Sequence, residues 1–375
     1  MFDYSAKDLA SAIDGALHVT AVGTALRPAR LPARAVAQMP TAFIRLTAET
    51  AAGVRLRLIT EATRLEIRLA VQRFHFVGAP SFEVFAELID GDTVHTLPVA
   101  GGIAGLDLQT DKVEREEGEV QTLVFDGLPG GRRLLEVWLP HSAVVDFHGV
   151  RADAPVDSAG QDERPHWINY GSSISHNLSV PHPTGTWQAV AARELGWRAT
   201  NLGFAGNAML DPFVARAIRD TPADVISLKL GINLVNFDSM TLRTFRPAVH
   251  GFLDTIREGQ AAPRIVVISP ISSPPLEHSP GPSGPDETGL RIAPAPGDSP
   301  HGGDSLTLVR IRAALEAIVE ERRADDPAIE YLDGRTLLSE SDDAAGLMPD
   351  GLHPGETGTR LMGERFAAYI RGQQK

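Results

Sequence analysis

Four short blocks of the chain hold residue types that can make and break an acyl bond. Tyr170-Gly171-Ser172-Ser173-Ile174-Ser175 offers hydroxyl nucleophiles in a glycine-containing turn. Asp350-Gly351-Leu352-His353-Pro354 offers an imidazole with a carboxylate three residues earlier. Between them, Asn201-Leu202-Gly203-Phe204-Ala205-Gly206-Asn207 and Leu230-Gly231-Ile232-Asn233 offer backbone and amide N–H donors. Acyl transfer from an ester needs a nucleophile, a base and donors for the developing oxyanion. His353 can take a serine proton and return it to the leaving alkoxide, because an imidazole titrates near neutrality. Asp350 is placed to hold the other ring nitrogen and so fix the tautomer. The residues alone leave open which of Ser172, Ser173 and Ser175 attacks, and a serine here is also a good helix N-cap.

These blocks need a frame that brings them to one place. From residue 166 onward, apolar runs at 166–170, 198–203, 224–230, 264–269 and 329–333 alternate with amphipathic helical patterns near 185–195, 209–219, 241–258, 304–324 and 355–371. Runs such as Val225-Ile226-Ser227-Leu228 and Ile265-Val266-Val267-Ile268 are apolar on both sides, as in a parallel sheet covered by helices. The reading is an α/β domain, a three-layer α/β/α arrangement over 166–375. In such sheets ligands sit beyond the carboxyl ends of the strands, which is where the four blocks fall. Residues 270–303 break the rhythm, with nine of the 27 prolines and no periodicity. A loop of this length is either functional or disordered; it is expected to shape the pocket or a homo-oligomer contact, or to be a plain insertion.

Residues 1–150 read as β. Val54, Leu56 and Leu58 alternate with Arg55 and Arg57, and Leu65, Ile67 and Leu69 alternate with Arg64, Glu66 and Arg68. A period of two predicts half-buried strands with one wet face. Further strands are expected at 41–47, 82–89, 94–99, 120–126, 133–139 and 143–149, separated by turns such as Asp90-Gly91-Asp92. This predicts a sandwich of antiparallel sheets, with 151–165, polar and aperiodic, as the linker.

Composition narrows the function. The 375 residues carry 35 basic and 48 acidic side chains, a net charge of −13, which disfavours nucleic acid as a partner. The absence of cysteine removes disulfides, thiolate metal sites and a cysteine nucleophile. His176 and His182 lie near the first block, but no HxxxH or HExxH spacing joins them to Asp350 and His353, so no metal is expected. The glycine-rich turns form neither GxGxxG nor a P-loop, so no nucleotide cofactor is expected. Trp187 and Trp197 read as core rather than a sugar platform, and Gly203 as a turn glycine. No run reaches the length of a membrane span, and no charged segment leads into an apolar one at the N-terminus, so a cytoplasmic location is expected.

The ordered blocks resemble those of the SGNH hydrolases, the GDSL-type esterases, over residues 166–371. Gly171-Ser172-Ser173 is similar to the first block, Gly206 to the second, Gly231-Ile232-Asn233 to the third and Asp350-Gly351-Leu352-His353 to the last. The resemblance implies an SGNH-like, flavodoxin-like fold with Ser173, Asp350 and His353 as catalytic residues. It also implies an oxyanion hole from the Ser173 and Gly206 N–H groups and the Asn233 amide. Ser172 stands where the family usually has Asp, and Leu234 where Asp is common. A β-sandwich ahead of such a domain, jelly-roll-like in expectation, is similar to the arrangement in some carbohydrate acetylesterases. His176 and Asn207 are candidate substrate contacts. The expected activity is hydrolysis of short acyl esters, such as acetyl esters, of a sugar or small natural product through an acyl-enzyme. An acyltransferase on the same machinery is the first alternative, and a non-catalytic carbohydrate-binding or scaffold protein the second.

Overall fold

The computed structural model describes residues 1–79, 81–297 and 299–373. Asp298 of the 270–303 segment and the last two positions of the 166–375 region lie outside the described residues. The backbone forms two compact units: Met1–Arg164 with Pro181–Gly185 and Thr200–Leu202, and a second unit from Pro165 onward holding the rest.

The first unit contains an eight-stranded and a six-stranded sheet. Arg64–Phe76 is central to the larger sheet, antiparallel to Ala143–Ala152 and Gln121–Asp126 and parallel to Gly102–Asp107. Arg55–Thr60 in the smaller sheet pairs antiparallel with Arg133–Trp138. Leu65, Ile67 and Leu69 of one sheet and Leu56, Leu58 and Val137 of the other share one dry core, so the sheets pack as a sandwich. The alternation expected at 54–58 and 64–69 is therefore present, but the far face of 54–58 is not wet. Arg55 and Arg57 are buried, Arg55 paired with Asp14 at 2.5 Å and lying over the Trp138 ring, Arg57 facing Asp162 at 3.4 Å.

Two expectations for this region need correction. Residues 41–47 are not a strand: Ala42–Glu49 is a helix. Its first N–H groups are capped by Thr41 and by Asp111, whose carboxylate accepts from Ala42 at 2.8 Å and Phe43 at 3.1 Å. A cap supplied from so far along the chain decides what a short apolar run cannot. Nor is 151–165 a free linker. The strand Ala143–Ala152 runs into it, and Val156–Ser158 pairs with Arg55–Thr60.

A five-stranded parallel sheet runs in the order Arg198–Gly203, His166–Gly171, Val225–Lys229, Arg264–Ile268, Ile329–Leu332. Trp167 and Tyr170, three apart on one strand, point to opposite faces. Trp167 stacks on Phe366 of helix Glu356–Gly372 at 4.9 Å and meets Trp187 of helix Trp187–Leu195 edge-on. Tyr170 stacks on Phe252 of helix Leu242–Arg257 at 5.2 Å. Helices thus cover both faces, the α/β/α arrangement the apolar runs predict. Trp187 and Trp197 belong to this core. The five long helices begin and end within a few residues of the expected spans; the short helices Ser173–His176, Ile232–Asn236 and Glu340–Ala344 carry too few residues to show a period. Within 270–303 a small hairpin pairs Ser283–Pro285 with Ile292–Pro294. Among the described residues no helix is long and apolar enough to cross a membrane.

Candidate active site

The strand His166–Gly171 ends in a sharp turn into a single helical turn, Ser173–His176. Ser172 is its N-cap, its Oγ accepting the Ile174 N–H at 3.3 Å. This separates the three serines. Ser172 and Ser175 have no exposed surface, whereas Ser173 at the first helical position is partly exposed. The helix that begins at this serine is only one turn, ended by Asn177 in the left-handed conformation at φ 67°, so its electrostatic contribution is confined to local N–H groups.

Ser173 Oγ lies 2.8 Å from His353 Nε2. His353 Nδ1 lies 2.7 Å from Asp350 Oδ2. A carboxylate only accepts, so Nδ1 carries the hydrogen and Nε2 is left as the acceptor for the serine proton. Asp350 Oδ1 also accepts the N–H groups of Leu352 at 2.9 Å and His353 at 2.6 Å. Burial pushes the Asp350 carboxyl up. The hydrogen bond and charge of His353, with the two N–H groups, outweigh that and hold it below the usual carboxylate range. Such an arrangement can take a proton from Ser173, hold the imidazolium and release the proton to a leaving group.

The expected oxyanion donors sit on the neighbouring strand ends. Gly206 has φ 68° in the turn after Arg198–Gly203, a conformation that favours glycine. Asn233 is buried in the helix Ile232–Asn236, and its Oδ1 accepts the Ala208 N–H at 2.9 Å. That bond assigns the accepting end of the amide and leaves Nδ2 as its donating end. Gly203 is not the turn glycine expected. It ends the strand against Ser173–His176 so closely that a Cβ would overlap the backbone of Ser175 and His176.

The two candidate substrate contacts are turned inward. His176 is fully buried, and its Nδ1 accepts the Ala205 N–H at 3.4 Å. Asn207 donates through Nδ2 to the Ala205 carbonyl at 2.6 Å. Both brace the turn bearing Gly206; the buried His176 ring has no surface left for a substrate.

Sequence reasoning missed the supports. Asn177 receives the Trp187 N–H on Oδ1 and donates to Thr359 Oγ1, tying the nucleophile turn to two helices. Ser179 Oγ donates to the Pro354 carbonyl at 3.1 Å. An Asn at the end of a helical turn is a weak signal for the first, and nothing local announces the second. Two buried titratable groups also escaped notice. Lys229, at the end of Val225–Lys229, has no hydrogen-bond partner for Nζ among the described residues, and burial, with the Arg312 charge second, pushes it down to about 7. Burial raises Asp211, the N-cap of Pro212–Arg219, to about 6.

The model of the GDSL-like lipase/acylhydrolase family matches residues 170–361, which span all four blocks. The chain belongs to this family. Comparison with curated protein sequences finds no significant match. Among solved structures, the chain is similar to the salicylyl-acyltransferase SsfX3 from a tetracycline biosynthetic pathway. Identity is 26% over 99% of this chain and 98% of that one, with a TM-score of 0.81. A GDSL-like lipase of Bacteroides ovatus is 17% identical over 99% and 97%, with a TM-score of 0.68. An acetyl xylan esterase, Est2A, of the rumen bacterium Butyrivibrio proteoclasticus is 12% identical over 100% and 99%, with a TM-score of 0.57. The last two share the fold.

Proposed function

We propose that this protein is a serine-dependent acyl-ester enzyme, acting on a short acyl ester of a sugar or small natural product. The observation that carries the reading is the hydrogen-bonded series Ser173–His353–Asp350 at 2.8 and 2.7 Å. Ser173 Oγ attacks the ester carbonyl while its proton passes to His353 Nε2. The oxyanion is held by the N–H groups of Ser173 and Gly206 and the Asn233 amide. The C–O bond to the alcohol then breaks and His353 returns the proton to the departing alkoxide. Water, activated by His353, cleaves the acyl-Ser173 ester in the second half.

The likeness to a salicylyl-acyltransferase at 26% identity over nearly the whole chain favours a second reading, in which an alcohol replaces water in that half. Both readings share the acyl-enzyme, so one experiment tests the core. Aryl acetate turnover and fluorophosphonate labelling are expected for the native protein and for Ser172→Ala, and both are lost in Ser173→Ala. Labelling that survives Ser173→Ala overturns the assignment, and a folded protein that never labels favours a binding role. Product analysis with acceptor alcohols then separates hydrolysis from transfer.

A further inference from the structure

The segment after Arg264–Ile268 touches both loops that supply the proposed machinery. Its first arch is fixed by one buried cation. Arg312 donates to the carbonyl oxygens of Pro270 at 3.2 Å and Ile271 at 3.0 Å, and its Nη2 lies 2.8 Å from Glu277. The Glu277 carboxylate accepts in turn from the Ser273 N–H at 3.2 Å. A planar guanidinium holding two carbonyls and a carboxylate leaves the arch little freedom.

What the arch then holds is the acid–base loop. Ser273, itself buried, donates through Oγ to the Gly351 carbonyl at 2.8 Å. Further along, the Ile292 N–H donates to the Asp350 carbonyl at 2.8 Å. Arg291 lies against Gly351, so that a Cβ there would stand 2.7 Å from Nη2. Gly351 has φ 78°, a backbone with no side chain to fix it, and its carbonyl and that of Asp350 are both taken by this one segment. At its other side the segment grips the helix Ile232–Asn236. Ser283 Oγ donates to Asn236 Oδ1 at 3.0 Å, and Gly281 approaches the Val235 carbonyl too closely for a Cβ.

We propose that residues 270–294 act as a jig that sets the Asp350–His353 loop against the Asn233 helix, with Ser273 as a positioning residue acting through Gly351. The inference rests on the acyl-ester reading above. The Asp350 and Gly351 carbonyls have their bonds from this segment, so losing one lets His353 shift, and a displacement of about 1 Å at the reacting atoms can cost about 100-fold in rate.

Ser273→Ala removes one hydroxyl and leaves the arch's guanidinium contacts in place. On an aryl acetate, kcat and the rate of fluorophosphonate labelling of Ser173 are expected to fall together by about 10- to 100-fold. KM is expected to stay close to native, and the melting temperature to fall by no more than a few degrees. Native kcat in folded Ser273→Ala overturns the proposal, as does a raised KM at unchanged kcat, which would make the segment a binding wall. If Ser273→Ala fails to fold, Arg291→Ala on the exposed hairpin takes its place. There a fall in kcat and labelling rate at constant KM supports the jig, and native values refute it. Native protein that neither labels nor turns over esters removes the acyl-ester reading itself and this inference with it, an outcome distinct from an active enzyme indifferent to Ser273.

Discussion

Replacing Asp350 by Asn changes one atom and tests the whole proton path. Asp350 Oδ1 accepts two backbone N–H groups, and Oδ2 accepts His353 Nδ1 at 2.7 Å. An amide has one accepting end. If the oxygen stays on the Leu352 and His353 N–H groups, the NH2 faces Nδ1, which must then accept. The ring hydrogen moves to Nε2, and Nε2, 2.8 Å from Ser173 Oγ, can no longer take the serine proton. If the amide flips, the NH2 faces two N–H donors that lose their acceptor, at about 1–3 kcal/mol each. The first orientation is therefore favoured, and it carries the wrong tautomer. A wrong tautomer in a serine triad costs up to about 10⁴ in kcat. Here both side chains keep about 30% exposure, so water can bridge part of the loss, and we expect a fall of about 10³, or ~4 kcal/mol of barrier. The assay is kcat and KM on an aryl acetate between about pH 6 and 9, with thermal unfolding as the control. Asp350→Asn that folds and keeps kcat within about tenfold of native would refute the assigned path.

Two further substitutions separate other parts. Asn233→Asp keeps the oxygen that accepts the Ala208 N–H and removes the donating end, so kcat is expected to fall by at least about 10²–10³ with the fold intact; activity near native would remove Asn233 from the oxyanion site. Lys229→Met is expected to stabilise the protein, because the buried ammonium has no hydrogen-bond partner among the described residues and the stem is retained. The folded-state value near 7 lies below the ordinary 10.5, so the unfolded chain binds the extra proton between them. The penalty is therefore full below about pH 7 and fades as pH rises toward 10.5. The variant's melting temperature should exceed native by several degrees (about 1 to a few kcal/mol) at pH 7 and converge with it in alkali; a loss at pH 7, or a gap that does not narrow, contradicts this.

The parallel sheet was legible because its strands are buried on both faces. Short runs apolar on both faces, such as 225–228 and 265–268, suit strands of a covered parallel sheet. The strand ends followed, and with them the blocks. The helix at 42–49 was not legible. Its apolar residues fit either period, and the carboxylate that caps it comes from Asp111. Arg55 and Arg57 misled for a related reason: a charged residue on alternate positions reads as wet, yet partners at Asp14 and Asp162 make its burial tolerable. His176, singled out by its nearness to Ser173, is buried because a one-turn helix turns it inward toward Ala205.

By itself, the sequence determined the order and chemistry of the blocks: a serine in a glycine turn, an amide after a strand, and a carboxylate three residues before an imidazole. The last spacing is local, so Asp350 and His353 can meet without the rest of the fold. The resemblance already singled out Ser173; tertiary structure alone brings that serine opposite His353, 180 residues away, and buries Ser172 and Ser175 as cap and core. It alone also made the proline-rich stretch a set of supports for Asp350 and Gly351, because hydrogen bonds from Ser273 and Ile292 to backbone carbonyls leave no trace in residue type.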